Sequence, residues 1–162
     1  MKSKGIFIDS SVFLKLLLNE PGSDLAQAIL EDVEYGKVIG YVTPMVLEEV
    51  CFKLIYAKAS ELLDARNVWK IRESLRLSSE FRSKILEVVR KFYEYIEYLF
   101  LKGLRIEPVM YSDWQRAYEI MKKHGLLPAD AVHVAVALRV KANTIATFDE
   151  DFRVIKEVKI IP

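Results

Sequence analysis

Two short apolar runs in this chain each stop on an aspartate: "KGIFID" at positions 4–9 and "NTIATFD" at 143–149. Such a run, ended by a polar residue, fits a strand buried on both faces, as in a parallel sheet covered by helices. Parallel strands share a direction, so both aspartates fall on the carboxyl edge of the sheet. Open α/β sheets bind their ligands at that edge. "KVIGYVT" (37–43), "GLRIEPV" (103–109) and the closing "VKIIP" read as further strands.

Helical spacing fills the intervals. "SSVFLKLLLNE" follows the first strand, and "PGSDLAQAILEDVEYG" is opened by Pro21-Gly22-Ser23 and closed by Gly36. Thr43 and Pro44 supply an N-cap and a first helical residue for "PMVLEEVCFKLIYAKA", expected to run into the late fifties. Residues 60–102 are almost wholly helical in pattern, with Phe81, Ile85, Val88, Phe92 and Ile96 at helical intervals before Gly103. Ser112 is expected to cap "DWQRAYEIMKKHG", which Gly125 closes. "LLPADAVHVAVALRV" is apolar almost all round, yet carries Asp130 in its first turn and His133 one turn later. Strands alternating with helices predict an α/β fold with a central, mainly parallel sheet. Residues 1–162 read as a single domain, with about 57–102 forming an extended helical hairpin or arm.

Composition narrows the function classes. A hydrophobic fraction of 52% supports a substantial core. No apolar stretch approaches the roughly 20 residues of a membrane span, so no membrane association is expected. Asp9 interrupts the N-terminal apolar run and no small-residue cleavage site follows, so a signal peptide is not read there. Cys51 is the single cysteine, which rules out an internal disulfide and makes the cytoplasm the expected compartment. The net charge of +1 is low for a protein that neutralises phosphates wholesale. Its distribution is uneven, however: Lys53 to Arg105 holds twelve Lys/Arg against seven Asp/Glu. That arm is either a solvated helical face or a surface for a polyanion.

The chemistry resides in the carboxylates. Asp9 and Asp149 end strands, Asp130 starts a helix just before the second of them, and Glu48 and Glu49 lie on the helix after the second strand. Four acids from distant segments would repel, and burying them unpaired would cost several kcal/mol each. A divalent cation resolves the conflict, and an oxygen-only donor set favours Mg²⁺ or Mn²⁺ over zinc. Each acid also has a structural use. Asp9 is placed to cap the following helix, Asp130 to sit on a helix dipole, and Asp149 to shape the turn in "FDEDF". A helical wheel puts Glu48 and Glu49 both at the edge of the Val46/Leu47/Val50/Leu54 face and does not choose between them. His133 reads as a hydrogen-bonded core or near-site residue rather than a metal ligand. No P-loop, G-x-G-x-x-G or G-x-S-x-G occurs.

With these residues assembled, the chain resembles the PIN domain family, particularly the VapC-type toxins of bacterial and archaeal toxin–antitoxin pairs. The stretches that carry the resemblance are "FIDSSVFLKLLLNE", "VTPMVLEEV", "LLPADAVHVAVA" and "IATFDEDF", in the family's order and across nearly the whole chain. The resemblance implies a three-layer α/β/α fold and a Mg²⁺- or Mn²⁺-dependent ribonuclease site. Carried over, its acids are Asp9, Glu49 (six residues after Thr43), Asp130 and Asp149, with Asp9, Asp130 and Asp149 as metal ligands. Asp151, Ser11 and Thr147 match accessory positions. An RNA substrate, a cognate antitoxin and a homodimer are the implied partners. A solitary RNA-processing nuclease and a non-catalytic binding module are the alternatives. The stretch from about 57 to 79 is longer than compact members of the family need.

Overall fold

The computed structural model describes residues 4–63 and 67–162. Five strands form one sheet: β1 (Lys4–Ile8), β2 (Val38–Val42), β3 (Leu104–Ile106), β4 (Thr144–Ala146) and β5 (Lys159–Ile161). Their order is β3-β2-β1-β4-β5, and every pairing is parallel. The chain steps outward from β1 to β3, then returns across β1 to β4. Right-handed crossovers then place the helices of the outward and return connections on opposite faces. The outward helices are α1 (Ser10–Leu17), α2 (Ser23–Glu34), α3 (Pro44–Leu63), α4 (Val68–Leu77) and α5 (Ser79–Lys102); the return helices are α6 (Tyr111–His124) and α7 (Pro128–Arg139). The result is the expected three-layer α/β/α fold.

Burial follows the apolar runs. Phe7, Ile8, Val42, Ile145 and Ala146 from the central strands are fully buried, as are Val12, Phe13, Val33 and Leu99 from one helical layer and Ala131 to Ala137 of α7, all but His133 and Val134 among them completely. Phe13 and Phe92 meet edge to face with ring centroids 5.9 Å apart, joining α1 to α5. Gly40 makes the close approach of β2 to its neighbours possible. A Cβ there would lie 2.9 Å from Val33 Cγ2 and 3.0 Å from Leu104 Cδ1.

The expected caps mostly form. Thr43 Oγ1 accepts from Val46 N at 3.3 Å, Ser78 Oγ from Phe81 N at 3.1 Å, and Gly125 closes α6 with a left-handed φ of 74°. Ser112 is not the cap of α6, which begins one residue earlier. The Met110 N–H donates to Asp113 Oδ2 at 2.8 Å, and the buried Asp113 carboxylate also receives Arg139 Nε at 3.0 and 3.1 Å. This long-range ion pair fixes where the helix starts. The strand expected over 103–109 narrows to Leu104–Ile106, an edge strand followed closely by Pro108, which has no N–H to donate.

The middle of the chain is three helices rather than a simple hairpin. α3 runs past the late fifties to Leu63; the junction at 64–66 lies outside the described residues. Asn67 Oδ1 caps α4 by accepting from Trp69 N at 2.9 Å. A satellite core of Ala59, Ile71 and Ile85, flanked by Ile55, Leu63, Leu75 and Phe81, holds α4 against α3 and α5. Among the described residues no helix is long and apolar enough to cross a membrane. Phe92→Ala should destabilise the fold by about 3–5 kcal/mol, through lost burial and the cavity left beside Phe13. Urea unfolding measures this, and a change under about 1 kcal/mol would contradict the packing described.

Candidate active site

β1 ends in Asp9, and β4 is followed by Thr147 and Asp149, so the pairing of these strands brings their carboxyl ends side by side. The Asp9 N–H donates to the Ala146 carbonyl at 3.0 Å. Asp9 is 5% exposed, and its Oδ2 accepts from three donors: Ser11 N at 3.3 Å, Ser11 Oγ at 2.6 Å and Thr147 Oγ1 at 2.9 Å. The helix-capping use open to Asp9 is therefore realised, but only through one oxygen. The two hydroxyls spend their protons on that oxygen and accept in turn: Ser11 Oγ from Phe148 N at 3.0 Å, Thr147 Oγ1 from Asp149 N at 3.0 Å. Asp9 Oδ1 is left facing His133, whose Nδ1 is 3.9 Å away.

Asp130 lies half-buried in the first turn of α7, after Pro128 at the helix start. A helix N-terminus favours an ionised carboxylate by ~0.3–1 kcal/mol. Here the opposite wins. Burial, followed by the charges of Asp149, Asp9, Glu49 and Asp151, pushes the Asp130 carboxyl up to about 6. These neighbours are themselves a structural observation: acids from three other segments act on one carboxyl group. Pairs of carboxylates crowded together cannot all ionise freely.

Glu49 and Glu48 are now distinguished. Glu48 is exposed; Glu49 is half-buried and acts on both Asp130 and His133. Burial alone would raise the Glu49 carboxyl. Hydrogen bonds from Lys53 (2.6 Å) and Ser10, with the charge of Lys53, outweigh it and hold the group below its ordinary range. Asp149 is exposed and caps a short 3-10 turn (Glu150–Val154), its Oδ1 accepting from Asp151 N at 2.9 Å. Asp151 is also exposed and reaches Asp130 only as a charge.

His133 sits 1% exposed against the Phe7 ring, centroids 5.4 Å apart. The hydrogen bond expected of it is missing: neither ring nitrogen has a partner among the described residues. Burial lowers its pKa more than Asp9 and Glu49 raise it, so the ring is neutral near pH 7. Ser10 is the residue that sequence reasoning passed over. It is 3% exposed and donates to Glu49 from the start of α1. Its one available signal was adjacency to Asp9, which does not report on a helix 39 residues away.

The donors gathered here are carboxylate and hydroxyl oxygens, the chemistry of a hard cation site. Among the described residues, however, no group of three or more His, Cys, Asp or Glu side chains is arranged to hold a metal ion by itself.

Comparison with known proteins decides the lineage. The PIN domain family model matches residues 6–158. The chain belongs to the PIN domain family. It is 30% identical over 161 residues to Ribonuclease VapC2 of Methanocaldococcus jannaschii, covering 99% of this chain and 95% of that protein, which places it among the VapC-type members of the family. Two solved structures share the fold. Mycobacterium tuberculosis VapC20, a sarcin-ricin loop cleaving toxin, superposes with a TM-score of 0.58 at 19% identity, covering 97% of this chain and 99% of that one. A toxin–antitoxin complex from Klebsiella pneumoniae gives 0.56 at 13% identity, covering 97% and 96%. Membership in this family supports a nuclease function in general terms.

The crowding at Asp130 has a consequence for stability. Its folded pKa of about 6 exceeds the ordinary 3.8, so the fold without a cation binds that proton more tightly than the unfolded chain does. Stability therefore falls as pH rises through this window and stays lower above it. Asp130→Asn should raise the stability of the cation-free protein at pH 8 by about 1 kcal/mol, discounted for its partial exposure, and by little at pH 4. Thermal unfolding in EDTA at both pH values reads this. Destabilisation at pH 8 would contradict the crowding.

Proposed function

We propose that this chain is a Mg²⁺- or Mn²⁺-dependent endoribonuclease and the toxin of a VapBC-type pair. The observation that carries the proposal is the Asp130 carboxyl, held near pH 6 by burial and by Asp149, Asp9, Glu49 and Asp151 at the carboxyl edge of the sheet. Such a concentration of negative charge at a ligand-binding edge fits a divalent cation and, through it, a phosphate.

Asp9, Asp130 and Asp149 are the residues that would hold the cation, directly or through water. A partly hydrated ion suits a site whose carboxylates are near one another without forming a closed cage, since Mg²⁺ usually keeps several waters. The bound ion supplies Lewis acidity toward water and phosphate oxygens. Ser11 and Thr147 fix Asp9 through Oδ2 and leave Oδ1 for the site. Glu49 stays ionised because Lys53 and Ser10 hold it so, which suits orienting the attacking water better than accepting its proton. In the reaction, the water oxygen bonds to phosphorus and gives up a proton to solvent, the P–O bond opposite it breaks, and the leaving oxygen takes up a proton from solvent. Single-stranded or looped RNA is the expected substrate form, because its backbone can enter the edge of the sheet.

An antitoxin partner and a homodimer belong to the same reading. The Klebsiella neighbour is itself a toxin–antitoxin complex. Tyr111, Trp114 and Tyr118 lie exposed along one face of α6, a surface suited to a protein contact. The test is direct. Purified protein should cleave RNA with Mg²⁺ or Mn²⁺, and EDTA should stop it. Asp9→Asn should lower the rate at least about 100-fold, Glu49→Gln should also impair it, and Glu48→Gln should leave it nearly unchanged. Cleavage that persists in Asp9→Asn would overturn the assignment.

A further inference from the structure

The basic excess of the middle segment is not spread evenly once the helices are in place. On α3 and α5, Lys53, Lys58, Lys84, Arg90 and Lys91 are each within ion-pair distance of a glutamate. Their charges are answered from the same helix, while the two further α5 cations meet other groups, Arg82 donating to the Leu75 carbonyl and Lys102 lying over the Tyr98 ring. On α4 they are not. Lys70, Arg72 and Arg76 form no ion pair among the described residues, although Glu73 lies between them on the helix.

The same helix exposes an aromatic ring. Trp69 is 74% exposed, an unusual cost for the largest side chain, and the Arg72 guanidinium lies over it, 5.3 Å from the ring centroid. Trp69, Arg72, Glu73 and Arg76 follow the three- and four-residue spacing of one helix face. With Asn67, Lys70 and Leu77 they line a hollow of about 570 Å³. The opposite face carries Ile71 into the satellite core, so the orientation of α4 is fixed by packing and this outer face is held outward.

An outward face with unanswered cations and a stackable ring is how proteins hold single-stranded nucleic acid without reading its sequence. An acidic protein would answer the cations equally well, but the exposed tryptophan beside a guanidinium favours a stacked base. We propose that α4 is an accessory RNA-binding surface, on which Arg72, Arg76 and Lys70 contact backbone phosphates and Trp69 stacks on a base. It rests on the ribonuclease reading given above and adds a second point of contact for the same substrate. Glu49 lies near the start of α3 and α4 packs around Ala59, about 15 Å further along the helix axis. A strand held at both points is positioned at the acidic edge by contacts remote from the scissile bond.

The experiment compares the full-length protein with W69A, with R72A/R76A and with the conservative pair W69F and R72K/R76K. All are surface changes that leave Asn67 and Ile71 intact, and circular dichroism checks the fold. Binding is read by fluorescence anisotropy of a labelled 20-nucleotide single-stranded RNA in EDTA, which separates it from cleavage. W69A should bind about tenfold more weakly and W69F near normally. R72A/R76A should weaken binding and reduce the salt dependence, log K against log salt, by about 1.4, and R72K/R76K should restore it. Where cleavage is observed, long RNA should lose kcat/KM in parallel. An oligonucleotide on the order of three nucleotides, too short to bridge the two sites, should be cut at the unmodified rate. Unchanged RNA affinity and salt slope in W69A and R72A/R76A would overturn the proposal and leave α4 as a protein contact or a solvated face. Should no RNA be cut by the unmodified protein while the variants still lose affinity, the nuclease reading fails and the binding surface stands.

Discussion

Asp9 Oδ2 takes its hydrogen bonds from both sides of the β1–β4 junction, and the rest of the site is arranged around that atom. Ser11 holds it from the start of α1, and Thr147 holds it from the end of β4. The same two hydroxyls accept the N–H groups of Phe148 and Asp149, so the chain leaving β4 is steered by the side chains that anchor Asp9. Three donors on one oxygen remove its freedom to rotate and leave the other oxygen as the available acceptor. The topology makes this possible. β4 returns beside β1 only because the connection reverses direction after β3, and in α/β folds such reversals create the crevice where ligands bind.

Charge then divides the labour among the carboxylates. Glu49 has its own cation in Lys53 and stays ionised, whereas Asp130 has none and is raised by burial and by its neighbours. His133 lies beside both Asp9 and Glu49, yet burial keeps it neutral, so it does not act as a built-in counterion. The protein therefore leaves the edge of its sheet electrically unsatisfied. That is a cost to the folded state and a reason for a cation to bind.

Much of this was legible in the sequence because it depends on local runs. The apolar segments ending in Asp9 and Asp149 mark strand ends, Thr43-Pro44 marks a helix start, and parallel pairing follows from the alternation of strands and helices. What was not legible depends on rotation or on long-range partners. Glu48 and Glu49 sit at equivalent edges of a helical wheel, and only the seating of α3 against Ser10 separates them. The start of α6 is set by Arg139, 26 residues beyond Asp113, rather than by the nearby Ser112. The basic arm was visible as a composition, but its division into paired and unpaired cations required knowing which residues share a helix face.

The central claim is that Asp130 is held partly protonated by burial and by its acidic neighbours, and that a divalent cation relieves this. Metal binding then releases the proton. Calorimetric titration of Mn²⁺ into the RNA-free protein, in buffers of different ionisation enthalpy, counts protons released per ion bound. The account predicts release of roughly half a proton at pH 6, from a group titrating at about 6, and almost none at pH 8. Asp130→Asn should abolish the release. Binding without proton release at pH 6, or no binding at either pH, would contradict it.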